Sequence, residues 1–137
     1  MDYTDKINAT NAKNSFMLHN GIRLTEMGQD YAKVEACLSR ENRNLYGAVH
    51  GGMFLTMAAC AAGGAARTNG KRYVTVSSSF EFYRNTDNDH LIAEARIKNR
   101  GRTICVAEVE IHDGLGKLLC GGTFTLYCVG ADELSEK

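Results

Sequence analysis

The sequence predicts an α+β fold in which an antiparallel sheet wraps around one long central helix. Three observations lead there. Several segments alternate apolar and polar residues with period two, the signature of half-buried strands. One segment, from Gly52 to about Ala66, is apolar on every side and carries no charge, as a buried helix does. The elements run as two strands, the helix, then four strands in a meander, and a long antiparallel sheet needs its apolar face covered.

Residues 1–20 are polar and rich in asparagine and read as a loose lead-in or a short helix. Ile22 to Met27 and Tyr31 to Leu38 read as strands joined by Gly28-Gln29-Asp30. In the second, Ala32, Val34, Ala36 and Leu38 alternate with Tyr31, Lys33, Glu35 and Cys37. Ser39 to Tyr46 is a polar loop. In the helix, Met53, Met57, Cys60 and Gly64 share one face, while Phe54, Ala58, Ala61 and Ala65 share the next. Its small residues allow close backbone approach, and Gly63-Gly64 weakens its end.

In the third strand Val74, Val76, Ser78, Phe80 and Phe82 oppose Thr75, Ser77, Ser79, Glu81 and Tyr83. Leu91, Ala93, Ala95 and Ile97 mark the fourth strand. Cys105, Ala107, Val109 and Ile111 mark the fifth, which ends at the turn signal His112-Asp113-Gly114. Lys117 to Val129 is the last strand. A domain over 21–130 is thus expected between the lead-in and a charged, frayed tail at 131–137.

Composition narrows the function. With 137 residues the chain suits one domain, large enough to need no disulfide or metal for its core. Sixteen lysines and arginines balance sixteen acids. Zero net charge gives no footprint for nucleic acid or an anionic membrane, and leaves little repulsion against self-association. Cys37, Cys60, Cys105, Cys120 and Cys128 lack metal-ligand spacing, so no metal site is expected, and they read as reduced core thiols. The start lacks a signal-peptide layout. The uncharged run Leu45–Ala66 is too glycine-rich for a membrane span. A cytoplasmic protein is expected.

The element order, with Asn44-Leu45-Tyr46-Gly47-Ala48-Val49-His50-Gly51-Gly52 leading into the helix, resembles the hotdog-fold acyl-CoA thioesterases. The resemblance is greatest to the branch typified by the phenylacetate-degradation thioesterases. Further matches are Val74-Thr75-Val76, Phe80 to Tyr83, Asn99-Arg100-Gly101-Arg102 and Gly116-Lys117-Leu118-Leu119, so the similarity runs from about Gly21 to Gly130. The chemistry of the entrance agrees. A helix N-terminus carries unpaired N–H groups and the positive end of the dipole, and glycines let a carbonyl come close.

The resemblance implies that the Gly52 N–H polarises a thioester carbonyl, that Asn44 orients the thioester or a water, and that Thr75 lies near the attacking water. It places His50 and Gly51 at the substrate, His50 as a positioning residue. Arg102, with Arg100 and Lys98 nearby, suits coenzyme A phosphates. Each also has a structural reading: Asn44 as a loop cap, Thr75 as an ordinary strand residue, Arg102 as a solvated charge. The implied substrate is an acyl-CoA, with no cofactor beyond the coenzyme A it carries. The implied assembly is a homodimer or homotetramer with shared sites.

One position departs from the pattern. This branch carries its catalytic carboxylate on the central helix nine positions after the histidine, where this chain has Ala59. No Asp or Glu occurs between Glu41 and Glu81. Cys60, Glu81 and Glu41 are the possible substitutes, Glu81 being expected on the same strand face as Thr75. The expected function is therefore hydrolysis of a small or medium acyl-CoA. The alternative is an acyl-CoA or small-ligand binding protein that hydrolyses weakly or not at all. Hydratase-like chemistry on an enoyl thioester is a third reading, disfavoured because it also wants a carboxylate partner for the histidine.

Overall fold

The computed structural model describes residues 2–132, in which six strands pack against one long helix. Two N-terminal helices, α1 (Thr4–Lys13) and α2 (Ser15–His19), precede strands β1 (Ile22–Gly28) and β2 (Tyr31–Cys37). A 3-10 turn at Arg40–Asn42 leads into α3 (Gly51–Ala66), and a second one at Arg67–Asn69 leaves it. Strands β3 (Lys71–Phe82), β4 (His90–Arg100), β5 (Ile104–Asp113) and β6 (Leu118–Ala131) follow.

The six strands form one antiparallel sheet in the order β1-β2-β4-β5-β6-β3. The predicted four-strand meander therefore holds only from β4 to β6. The chain reaches α3 from β2 and leaves it into β3 at the opposite edge, so the helix lies across the concave face. β4 then returns to pair with β2 (Ala32↔Ala95, Val34↔Ala93).

The alternation expected in β2, β4 and β5 is seen except at the strand ends, where Leu38 lies beyond β2 and both it and Ile97, beside a bulge, are only half-buried. Ala32, Val34, Ala36, Leu91, Ala93, Ala95, Cys105, Ala107, Val109 and Ile111 are all buried. They pack with Phe124 and Leu126 of β6 against Phe54, Met57, Ala58, Ala61 and Ala65 of α3. Helix and sheet approach closely at Gly64: an added Cβ would sit 3.0 Å from the Ala32 Cβ and 3.4 Å from Leu24 Cδ1. The helix is not buried all round, however. Leu55 is exposed, and Thr56, Ala59, Cys60 and Gly63 are half-buried along the side away from the sheet.

β3 differs from its predicted pattern. The register with β6 slips between Thr75 and Ser77, so Val76 bulges out and the alternation reverses there. Thr75 faces the same side as its partner, the buried Leu126, and so do Ser78, Phe80 and Phe82 through Phe124, Gly122 and Cys120. Glu81 points the other way, so it does not share a face with Thr75 as the uninterrupted alternation suggested. β3 is also a sheet edge, which leaves Val74, Val76 and Phe82 exposed.

The lead-in is ordered into two packed helices. Asn11 on α1 bonds both backbone groups of Leu24, through Nδ2 to the carbonyl (2.8 Å) and through Oδ1 from the N–H (2.9 Å), and so protects the β1 edge. At the other terminus β6 runs to Ala131, paired with Lys71. Asp132 accepts from Lys6 Nζ (3.2 Å) and Arg67 Nη1 (3.4 Å). These two residues are therefore structured rather than frayed, and 133–137 lie outside the described residues. No described helix is long and apolar enough to cross a membrane.

The end of α3 shows what Arg100 does. Its guanidinium donates to Asp30 Oδ1 from both Nε (3.0 Å) and Nη2 (2.9 Å), to the carbonyls of Ala66 (3.0 Å) and Ala65 (3.2 Å), and to the Tyr73 hydroxyl (3.0 Å). All five arginine donors are thus engaged, two of them on the last carbonyls of a helix, where a cation also favours the dipole. Arg100 is an internal cap, not a partner for Arg102 at a phosphate.

Candidate active site

The entrance to α3 is built by its own sequence. His50 is the N-cap: its Nδ1 accepts the Gly52 N–H at 2.8 Å, and its carbonyl accepts from Met53 (2.9 Å) and Phe54 (3.3 Å). An imidazole nitrogen here takes the place of the usual Ser, Thr, Asn or Asp oxygen. A Cβ at Gly52 would stand 3.0 Å from that Nδ1, whereas one at Gly51 would meet nothing. The Gly51 N–H has no hydrogen-bond partner among the described residues. The free donor at the helix end is thus Gly51, and the Gly52 donor is held by the histidine that precedes it.

The loop that aims this end is held from two sides. The His50 N–H donates to the Asn42 carbonyl (2.9 Å). The Asn42 side chain is buried, accepting from the Ser39 N–H (3.0 Å) and donating to the Asn20 carbonyl (3.3 Å). From the β3–β4 connection, Asn85 accepts the Val49 N–H (2.9 Å) and donates to the Val49 carbonyl (3.1 Å). Neither asparagine has a sequence signal that separates it from other loop asparagines.

Asn44 closes its own turn. Its Oδ1 accepts from Tyr46 (2.9 Å) and Ala48 (3.1 Å), and its N–H donates to the Ala48 carbonyl (2.7 Å). Only its Nδ2 is left for a ligand. It does not line the cleft of about 250 Å³ at the helix entrance, whose walls include Glu41, Asn42, His50, Gly52 and Thr56. Glu41, the weakest of the three candidate substitutes on sequence grounds, is therefore the carboxylate placed with His50 and Gly52. The Ser39 hydroxyl beside it, then its own backbone N–H, holds its carboxyl below the usual range, so it is ionised at neutral pH.

Ala59 lies two turns along α3 and lines a second cleft with Cys60. Burial pushes the Cys60 thiol up to about 11, which keeps it protonated and argues against a nucleophile. Thr75 and Arg102 stand elsewhere. Tyr73, two residues before Thr75, reaches Arg100 at the C-terminal end of α3, and Arg102 is exposed in the turn just beyond β4. The sixteen residues of α3 put that end ~24 Å from the His50 entrance. Within one chain the expected site residues therefore form two groups: Asn44, His50, Gly51 and Gly52 at one end, Thr75 and Arg102 at the other.

A six-stranded antiparallel sheet around one helix, entered through His-Gly-Gly, is a hotdog domain. The chain belongs to the thioesterase superfamily, whose family model matches residues 46–120. A Deinococcus radiodurans protein named "Putative esterase" is 32% identical over 118 residues, covering 81% of this chain and 73% of that one. Many solved structures share the fold. The E. coli PaaI protein from the phenylacetic acid degradation operon has a TM-score of 0.86 at 21% identity, over 90% of this chain and 91% of that one. A Streptococcus pneumoniae hypothetical thioesterase with coenzyme A has a TM-score of 0.82 at 24% identity, over 89% and 98%.

Proposed function

We propose that the protein hydrolyses a small or medium acyl-CoA, receiving the thioester carbonyl at the N-terminus of α3. The observation that carries this is the unpartnered Gly51 N–H beside the His50-capped Gly52 at a helix end. Two N–H groups there can serve a developing oxyanion: Gly51 directly, and Gly52 once the carbonyl displaces the imidazole. The coenzyme A in the related thioester-family structure supports the ligand class.

In this reading water adds to the carbonyl carbon and Glu41 takes its proton. The C–S bond then breaks, the acyl group leaves as the acid, and coenzyme A leaves as the thiolate, which is protonated to the thiol. Asn44 contributes through Nδ2, the one polar atom its turn leaves open. Five cysteines without a disulfide suit a reducing cytoplasm.

The split between the two ends of α3 favours a site shared between copies. β3 is an unpaired sheet edge with Val74, Val76 and Phe82 exposed along it. Antiparallel pairing of two such edges about a twofold axis brings the Thr75 and Arg102 end of one copy toward the Gly51 end of the other. Thr75 then faces the attacking water and Arg102 the coenzyme A phosphates. A homodimer is the minimum, and a tetramer is compatible with it. Sedimentation should show no monomer at micromolar concentration, and a monomer that hydrolyses acyl-CoA would contradict the shared site.

Ala59 and the high Cys60 thiol favour a second reading, an acyl-CoA binding protein that does not cut. Release of free coenzyme A from a panel of acyl-CoA thioesters separates the two. Turnover above background supports hydrolysis. Ligand-induced stabilisation without product supports the binding reading.

A further inference from the structure

Resting on the proposal that the carbonyl is received at Gly51 and Gly52, the geometry points to the cleft between α3 and the α1–α2 pair as the pocket for a linear acyl chain of about eight to twelve carbons. The cleft holds about 330 Å³ and is lined mainly by apolar atoms, with Ala59, Cys60 and Gly63 on its α3 side and Phe16 and Met17 on its α2 side. It adjoins the helix entrance, where Phe16 and Thr56 line both spaces.

Most of its polar groups are already engaged. Thr56 donates to the Gly52 carbonyl (2.8 Å), Asn14 Oδ1 accepts from the Met17 N–H (3.2 Å), and Thr10 accepts from Arg67 Nη2 (3.1 Å), while Arg67 Nη1 pairs with Asp132 (3.4 Å). A polar ligand would find little to bond, whereas a hydrocarbon chain needs nothing from them. The Arg67 group closes the far end.

Gly63 supplies an independent observation. It sits inside a helix, where glycine is a poor choice against alanine. Its φ is not positive, and a Cβ there would meet nothing within 4 Å. Tight packing against Ala32 favours glycine at neighbouring Gly64; nothing packs against Gly63. The missing side chain keeps the cleft floor clear. Ala59 has the same effect, since a carboxylate there would stand in the path of the chain.

Length follows from the helix. Gly52 to Gly63 is eleven residues, a rise of ~16 Å. An extended chain advances ~1.3 Å per carbon, from C–C bonds near 1.5 Å. About twelve carbons reach Gly63.

The test measures binding of 2-oxoalkyl-CoA thioethers, which keep a carbonyl but have no scissile thioester, to the full chain by calorimetry. Affinity should rise about two- to fourfold per added methylene and level off near twelve carbons. Gly63→Leu should make that rise level off several carbons earlier and leave the shortest analogue bound as before. Gly63→Ala, which a helix favours, should shorten the preferred chain by one or two carbons and serves if the leucine variant does not fold. Flat affinity across lengths, with the shortest analogue still bound, would overturn the pocket and spare the carbonyl site. A rise unaffected by either variant would place the chain elsewhere and also overturn it. Absence of binding at every length would overturn both.

Discussion

The imidazole Nδ1 of His50 lies 2.8 Å from the Gly52 nitrogen and accepts its N–H, so the residue expected to hold substrate also caps the helix that receives it. Replacing His50 with Ala should cost about 0.5–2 kcal/mol, the usual value of an N-cap, read from denaturant unfolding. Coenzyme A thioester affinity should not fall, because the same change frees the Gly52 N–H. A variant as stable as the parent would show that the cap contributes nothing.

Cys60 should behave as a core thiol. With its pKa pushed up to about 11 by burial, it should react with iodoacetamide far more slowly than a free thiol at pH 7.5. Cys60→Ser should leave turnover of acetyl-CoA, whose acyl group is too short to reach the cleft that Cys60 lines, within about twofold, since a group that supplies no nucleophile has no general-base or covalent contribution to lose. Rapid modification of Cys60 with loss of turnover would make it the nucleophile after all.

Acid stability should depend on Asp113. Its carboxyl is held below the usual range first by the Thr86 hydroxyl (2.7 Å) and then by the Lys117 and Leu115 N–H groups. The folded pKa is depressed, so the stabilisation is complete above the unfolded value of about 3.9 and disappears as pH falls through the folded one. Asp113→Asn should therefore be less stable than wild type at pH 7, with the gap narrowing below pH 4. A constant gap across that range would remove the carboxylate as its source.

Arg100→Met should destabilise the fold by ~1–3 kcal/mol, the cost of leaving a buried polar group unpaired, here the Ala66 carbonyl, since Ala65 keeps the Thr68 hydroxyl at 2.9 Å. The midpoint of urea unfolding reads it. Arg102→Met should leave stability unchanged and weaken coenzyme A binding. Equal effects of the two variants on stability would contradict the division drawn between them.

Much of this architecture could be read from the sequence. The alternation of Ala32, Val34 and Ala36 and of Cys105, Ala107, Val109 and Ile111 exists because one face of each strand must be buried, and local pattern reports that directly. The charge-free run into Ala66 likewise marks the central helix. Strand order is a different matter. Nothing local in Lys71–Phe82 says that it pairs with β6 rather than β4, and the bulge at Val76 that turns Glu81 away from Thr75 has no glycine to signal it.

The entrance and the gap of the candidate site could be named only through the resemblance: His50-Gly51-Gly52 is its motif, and Ala59 stands where the resembled branch carries its carboxylate. The supports could not be named even so. Asn42 and Asn85 look like any loop asparagine until the fold brings them to His50 and Val49. Arg100 beside Arg102 looks like a solvated pair until α3 ends against it. The half-site at each end of one helix could not be seen from spacing at all, because it depends on the direction in which β3 returns.

The most direct test is coenzyme A release from octanoyl-CoA by wild type, Glu41→Gln and Ala59→Asp side by side. The account predicts turnover above background in wild type and a loss of about 10²–10⁴-fold in Glu41→Gln, the usual worth of a positioned base. Wild type at background while Ala59→Asp hydrolyses would contradict it, and would leave a protein that holds acyl-CoA at the same helix end without cutting it.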